Sequence, residues 1–448
     1  MPPVSEQIFL GDAVLDGGPT TQEASPYLLD RPAIQEKSYA LQLKLFLIVL
    51  FLPEGLSLMI GDFRLPLVRI VTIVYLLSFI HNRRALGSVR LPSDIIVLIA
   101  GAWMLLAGTA TEGLAIGLKS AGSMAIDFVG AYFIFRKLPN APDVSVSIAR
   151  FAAWLMIVVA GLAMLDPLTG HPFVHDLAGK ITGYYRPFDP STDSFFRHGL
   201  VRAMGPMEHS ILFAAVCGWF GVLTLCTFGV CRLSVLVVLA MGVGIWFSQS
   251  RGPLVAYMGG LGLTVFYFMT KRFAWRNRLV GGLIASCLLV VIVGSRNPVA
   301  TLLQFGGLDP EAGWYREAIW ATVGPMVLSS PVVGIGLFDE WDWQSSAELV
   351  GPTVDALWLK ASMLFGIPGS LLIFLTIVSP FCLGPVDRSD NLTKGEQQLS
   401  VGLGIVAFMA AFLGFTVHMW GIDWILLGVF AGWRANLMES AQVRGWTV

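Results

Sequence analysis

Three short stretches of the 448-residue chain combine residue types that hold anions and move protons. The first is Arg202-Ala203-Met204-Gly205-Pro206-Met207-Glu208-His209. Proline favours the first position of a helix, so Gly205 is expected as the N-cap and Glu208 as the third helical residue. A helix start offers unpaired N–H groups to an anion, with Arg202 just ahead of it. The second stretch is Ser248-Gln249-Ser250-Arg251-Gly252-Pro253, which repeats the arginine, glycine and proline order. Guanidinium forks bind phosphate oxygens two at a time. The third is Gly351-Pro352-Thr353-Val354-Asp355-Ala356-Leu357-Trp358-Leu359-Lys360, with Asp355 in the first turn of a helix. Glu208, His209 and Asp355 are candidate bases for a hydroxyl group. Each also has a structural alternative: Arg202 as an interface anchor, Arg251 in an ion pair, Glu208 and Asp355 as capping carboxylates, His209 as a packed histidine.

The elements that must position these residues are membrane helices. The chain is 55% hydrophobic and 13% charged, about half the charge of a soluble domain. That excludes a soluble enzyme, a disordered protein and a disulfide scaffold. Apolar runs long enough to cross a bilayer predict about twelve transmembrane helices in an all-α polytopic protein. They lie near 43–60, 66–80, 93–110, 114–135, 150–165, 207–228, 233–248, 253–269, 279–295, 356–382, 398–414 and 420–435. Residues 1–40 read as an acidic disordered cytoplasmic tail, 41–436 as the transmembrane domain and 437–448 as a cytoplasmic C-terminal tail. The five cysteines fall in apolar stretches and read as small buried thiols. Asp127 and Glu54 lie in or beside spans, where charge is costly, with Lys119 a possible partner for them.

Lysine and arginine orient the chain. Arg83, Arg84, Arg90, Arg136, Lys137, Arg150, Arg232, Lys271, Arg272, Arg276, Arg278, Arg388, Lys394, Arg434 and Arg444 fall in one set of loops. The opposite short loops hold Arg64 and Arg251. Both termini are therefore expected in the cytoplasm, with two long loops, 166–205 and 296–355, outside. Those loops carry Tyr184, Tyr185, Arg186 and Arg197 in the first and Trp341-Asp342-Trp343 in the second. Tyr315, Ile319 and Met326 recur at helical spacing and predict a helix on the membrane interface. No GxxxxGK[ST] loop, GxGxxG strand turn or metal-ligand spacing occurs, so no cofactor or metal is expected. The net charge of −1 points to no nucleic-acid partner. Arginines without a metal suit a lipid-linked pyrophosphate, and aromatic loops suit sugars.

The stretches together resemble the O-antigen ligase and polymerase family, which includes exopolysaccharide repeat-unit polymerases. Arg202 to His209 is similar to the family's arginine-glycine-Glu-His stretch, and Ser248 to Gly252 to its SxSRG turn. Arg316, Trp320 and Pro331-Val332-Val333-Gly334-Ile335-Gly336 resemble its large outer loop. Asp355, Leu359 and Gly366-Ile367-Pro368-Gly369 resemble the exit of that loop, where the ligases commonly have a histidine.

The resemblance implies a GT-C-like, metal-independent glycosyltransferase of the bacterial inner membrane that uses undecaprenyl-pyrophosphate-linked oligosaccharide. Arg202 and Arg251 would hold the pyrophosphate, with Arg316 a further phosphate or glycan contact. Arg186, Arg197, Lys360, Tyr184 and Tyr185 are the other substrate-binding candidates. Asp355 in place of histidine favours a polymerase over a ligase, and His418 is a more remote candidate base. Membrane lipids, a flippase and a chain-length regulator are the expected partners. A lipid-linked sugar transporter or flippase is the alternative from another class.

Overall fold

Two glycines decide how the longest apolar segments run. The computed structural model describes residues 31–61, 63–81, 91–185, 195–270, 310–336, 354–382 and 389–446, with isolated residues between 272 and 301. Helix α1 spans Arg31–Leu50, and the hairpin of β1 (Ser57–Ile60) and β2 (Phe63–Pro66) joins it to α2 (Leu67–His81). The α3 segment, Pro92–Arg136, is broken at Gly113, whose φ of 77° and ψ of 169° are not helical. Its two arms double back on one another, since a Cβ on Gly101 would meet Val129 and one on Gly117 would meet Gly108. Only glycine takes this turn without strain. The two spans expected at 93–110 and 114–135 are thus the arms of one helical hairpin.

Then come α4 (Val144–Ala163), the short α5 (Leu165–Thr169) and α6 (Phe173–Thr182), and the small hairpin β3 (Phe196–Arg197) and β4 (Leu200–Val201). Three helices follow, α7 (Ser210–Phe228), α8 (Arg232–Ser248) and α9 (Arg251–Met269). Beyond them lie α10 (Pro310–Ser329), α11 (Leu357–Cys382), α12 (Lys394–Leu413) and α13 (Ile422–Trp446). The α11 segment reverses at Gly366, with φ of 71° and ψ of 173°. The Ser370 hydroxyl consequently reaches the Trp358 carbonyl at 3.0 Å across twelve residues. In a straight helix those residues would stand about 18 Å apart. The single crossing expected at 356–382 is therefore a short arm folded against a longer one.

Among the described residues six helical segments are long and apolar enough to cross a membrane, and three shorter apolar helices accompany them. The protein is a helical, multi-pass membrane protein. Helix α13 packs on the second arm of α3 at backbone contact. Any side chain on Gly428 or Gly432 would strike the carbonyls of Phe128 and Tyr132. Small residues four apart give this close approach. Trp424 stacks on Phe128 at 4.8 Å and donates to the Met124 carbonyl at 2.9 Å.

One end of this packing is closed by ion pairs. Arg136 pairs with Asp94 at 2.8 Å and with Glu439. Arg444 binds both oxygens of Glu396 at 2.8 and 2.9 Å. Here the sequence boundaries need correction. Helix α13 runs on to Trp446 without a break at 436, because Leu437, Met438 and Glu439 are buried in the bundle. At the other terminus α1 starts at Arg31, ten residues inside the expected tail, with Pro32 placed to start it.

Other expectations shift as well. The first span ends at Leu50, since residues 57–66 pair as a hairpin with Leu58 opposite Leu65. Two small β-hairpins thus interrupt the all-α reading. Asp127 pairs with Arg69 at 2.6 Å rather than with Lys119. Cys231 is exposed, whereas Cys217 and Cys226 are buried. The expected interface helix is α10, but Ile319 and Val323 are buried in the core. The expected span at 279–295 lies mostly outside the described residues, as do residues 1–30 and the Trp341-Asp342-Trp343 stretch.

Candidate active site

The loop that carries the first candidate stretch is held from outside itself. The buried Asp166 accepts the backbone N–H groups of Met204 and Gly205 at 2.9 and 2.8 Å, and that of Phe173 at 2.9 Å. His175 Nε2 lies 2.8 Å from the Met207 carbonyl oxygen. Gly205 has φ of +55° and packs against Ala163, a position that rejects any side chain. Gly205 is accordingly not the N-cap. The helix starts four residues later than expected, at Ser210, and His209 caps it by accepting the Ile211 N–H at 3.1 Å. Glu208 therefore sits in the approach loop, not inside the helix.

Arg202 is 2% exposed and points at the second stretch. Its Nε donates to the Ser248 carbonyl at 2.8 Å and its Nη2 to the Ser250 hydroxyl at 2.9 Å. Arg197 adds a bond from Nη1 to the Gln249 carbonyl at 3.2 Å. Gln249 is in the left-handed conformation, φ 54°, a position that costs a non-glycine residue energy and needs such support. The braced turn sets Ser250 as the N-cap of α9 and exposes Arg251 in its first turn.

A cavity of about 460 Å³ runs from this turn. Arg251, Ser250, Gln249 and His198 stand at its polar side. Leu200, Ile245, Trp246, Phe247 and Leu254 give it an apolar wall.

The large loop delivers its charges to the same helix start. A methyl group built on Gly252 would lie 3.6 Å from Arg316 Nη2 and 3.9 Å from Thr416 Oγ1. Arg316 on α10 and Asp355 ahead of α11 attract one another, and Lys360 also acts on Asp355. Burial pushes the Asp355 carboxyl above the usual carboxylate range, and Arg316 and Lys360 pull it partly back. Burial likewise lowers Arg316, which Asp355 opposes. A phosphate would relieve both cations at once.

The segment 414–421 ties these elements together, although little in its residues marks it. Its Val417 carbonyl accepts the Leu357 N–H at 3.1 Å and its Gly414 carbonyl the Trp358 N–H at 3.2 Å. Trp320 on α10 donates to the Phe415 carbonyl at 3.2 Å. Trp420 donates its indole N–H to Glu208 Oε2 at 3.0 Å. Its ring lies 5.3 Å from that of His418 and 6.1 Å from that of His209. Burial, with Lys360 nearby, holds the His418 imidazole down to about 3, so the ring is neutral. Its Nδ1 is buried with no hydrogen-bond partner.

Glu54, in the turn before β1, hydrogen-bonds Glu208 and is raised to about 8 by burial and then by that neighbour, against the pull of Arg64. Arg64 also donates to the Glu54 backbone carbonyl and lies 4.4 Å over the Tyr184 ring.

The structure thus brings Arg316, Asp355 and Lys360 together, with Arg316 against Gly252, the residue after Arg251, while Glu208 and His209 gather at Trp420. Arg202 and Arg197 stand behind, as braces of the Ser248–Arg251 turn. Tyr184 and Tyr185 are exposed and contact Arg64 and Gly179, toward the first hairpin and α6. Arg186 lies outside the described residues.

Residues 211–374 match the family model for O-antigen ligase. This part of the chain is similar to the O-antigen ligase family. The matched region runs from α7 into the returning arm of α11 and so contains Arg251, Arg316, Asp355 and Lys360. Arg202, Glu208 and His209 precede it, while His418 and Trp420 follow. No curated protein matches the chain.

Sequence reasoning missed Asp166, His175 and Trp420. Asp166 and His175 act on backbone atoms of distant loops, which no local pattern marks. Trp420 had one signal, its place between His418 and Gly421 at a span boundary.

Proposed function

We propose that the protein joins oligosaccharide repeats carried on undecaprenyl pyrophosphate into a polymer, at the outer face of a bacterial inner membrane. The observation that carries this reading is the meeting of Arg316 with the start of α9, where an apolar-walled cavity of about 460 Å³ opens beside Arg251. The cavity suits the first isoprene units of the donor. Arg251, Arg316 and Lys360 suit its diphosphate. No nucleotide or metal has a role in the proposed reaction.

In the reaction, an acceptor hydroxyl attacks the anomeric carbon of the donor sugar. The bond to the diphosphate oxygen breaks, and the electron pair leaves with the diphosphate. The arginines stabilise the charge that grows there. The hydroxyl proton passes to a nearby base, with Asp355 placed between Arg316 and Lys360 to take it. Arg202 contributes by holding the turn that aims Arg251. A GT-C-like arrangement of about twelve crossings with both termini in the cytoplasm fits this chemistry, because it puts the three stretches on the outer face. A flippase and a chain-length regulator would supply and limit the substrate.

The O-antigen ligase description of the matched domain favours a second reading, transfer of the lipid-linked glycan to a different acceptor. Purified protein given only lipid-linked repeats in detergent separates the two. Longer lipid-linked products support the polymerase. Their absence, with transfer to an added non-identical acceptor, supports the ligase. Absence of both overturns glycosyl transfer.

A further inference from the structure

We propose that His418, Trp420 and the carboxyl pair Glu54–Glu208 form the subsite that holds the acceptor sugar. The proposal rests on the glycosyl-transfer reading and extends it to the second substrate. The cationic groups account for a diphosphate but offer little to a neutral sugar. A sugar ring needs a flat apolar face and a mixture of donors and acceptors for its hydroxyls. The cluster around Trp420 supplies that mixture.

Three observations converge. The indole of Trp420 lies against two imidazoles, with ring centroids at 5.3 Å to His418 and 6.1 Å to His209, and its N–H is committed to Glu208 at 3.0 Å. The neutral His418 leaves Nδ1 buried and without a hydrogen-bond partner, although a buried polar atom is normally satisfied. A hydroxyl of the acceptor would satisfy it. Finally, the Glu54 and Glu208 carboxyls are neighbours, and Glu208 favours the protonated form of Glu54, so the two are suited to share a proton. Such a pair keeps its proton between its own oxygens and presents the remaining oxygens as acceptors to neighbouring sugar hydroxyls. The backbone makes room for it. Gly421 has φ of +56°, and a Cβ there would stand 2.7 Å from Glu54 Oε1.

The position is also right. His418 stacks on Trp420 and feels the charge of Lys360. A sugar bound at Trp420 would therefore lie within the electrostatic reach of the Lys360 cation. The charged groups acting on Glu54 are Glu208 and Asp127, which favour its protonated form, and Arg64, which opposes it. Arg69, paired with Asp127, also interacts with it. Above about pH 8 the pair loses its shared proton, and sugar affinity falls with it.

The test uses the full chain in detergent and two probes read by calorimetry. One is inorganic pyrophosphate. The other is the repeat-unit oligosaccharide released from its lipid. His418→Ala and Glu208→Ala are expected to weaken oligosaccharide binding at least tenfold and to leave pyrophosphate binding within twofold. Arg316→Ala should do the reverse. Glu54→Gln, which keeps a hydrogen bond without a shared proton, should bind the oligosaccharide and lose the fall above pH 8. Retained pyrophosphate binding shows that a variant is folded. If His418→Ala does not fold, His418→Gln replaces it and should bind within threefold, since its side-chain oxygen still accepts.

Undiminished oligosaccharide binding in Glu208→Ala and the His418→Ala variant, or an unchanged pH profile in Glu54→Gln, would overturn the subsite. Wild-type protein that binds pyrophosphate but no oligosaccharide would also overturn it and leave glycosyl transfer standing. Wild-type protein that binds oligosaccharide but no pyrophosphate would count against the transfer reading instead.

Discussion

The two ends of the helical bundle treat charge in opposite ways. At one end Arg136 is 2% exposed and closed between Asp94 and Glu439, and Arg444 grips Glu396 with both nitrogens of its fork. At the other end Arg251 is exposed beside a cavity, and Arg316 and Asp355 attract each other without a hydrogen bond between them. A buried charge is tolerable when protein groups satisfy it. The first end is finished by the chain itself. The second holds cations and a bare imidazole nitrogen in a form that a substrate would complete. Arginine therefore has two meanings in this protein, and burial with paired carboxylates separates them.

The largest expected effect tests that separation directly. Arg251→Ala should fold normally and lower polymer formation by about 100-fold or more, the usual loss when one preorganised contact to a developing negative charge is removed. Polymer yield and chain length from purified protein are the readout, with the melting temperature as the control for folding. Normal polymer from the folded variant would erase the difference between the two ends.

The next effect comes from the opposite end. Arg136→Ala strands Asp94 and Glu439 in a buried site and should cost about 3–5 kcal/mol of stability, as breaking a buried pair does. The expected observation is a lower yield of folded protein and a lower melting temperature, while the molecules that fold retain their turnover. A stable but inactive variant would move Arg136 to the functional side of the comparison.

The contrast also explains what was readable in the sequence. The arginine stretches were legible because their elements are local, with Arg251 and Gly252 opening a helix within a few residues. The charge asymmetry marked one set of loops, and Arg136 and Arg444 within it are ion-paired. The role of Arg202 was not legible. Its partners Ser248 and Ser250 lie 46 and 48 residues away, so a position that read as a phosphate ligand is a brace. The returns at Gly113 and Gly366 differ in the same way. The first followed a visible gap between two apolar runs, whereas the second lies inside one continuous run. His418, Trp420 and Glu54 come from two loops far apart in sequence, and α7 bridges them by packing Phe220 on Phe51, just after α1, and Trp219 on Phe430 of α13.

The smallest expected effect concerns the shared proton at the site end, and its sign follows from linkage. The folded protein holds the Glu54 proton up to about pH 8, whereas an ordinary glutamate releases it near 4.5. Between those values the folded state binds more protons than the unfolded state. The contribution is therefore full below pH 4.5 and declines as the pH rises toward 8. At about 1.4 kcal/mol per unit the full shift would exceed 4 kcal/mol, and partial solvent exposure of Glu54 reduces the expected loss to about 2 kcal/mol. The melting temperature in detergent should fall between pH 5 and pH 8, and Glu54→Gln should flatten that part of the curve. Arg136→Ala should keep the slope, because its partners Asp94 and Glu439 lie at the other end of the bundle. An equal slope in wild type and Glu54→Gln would show that the proton is not shared at this site, and the contrast between a closed end and an open one would then rest on Arg251, Arg316 and His418 alone.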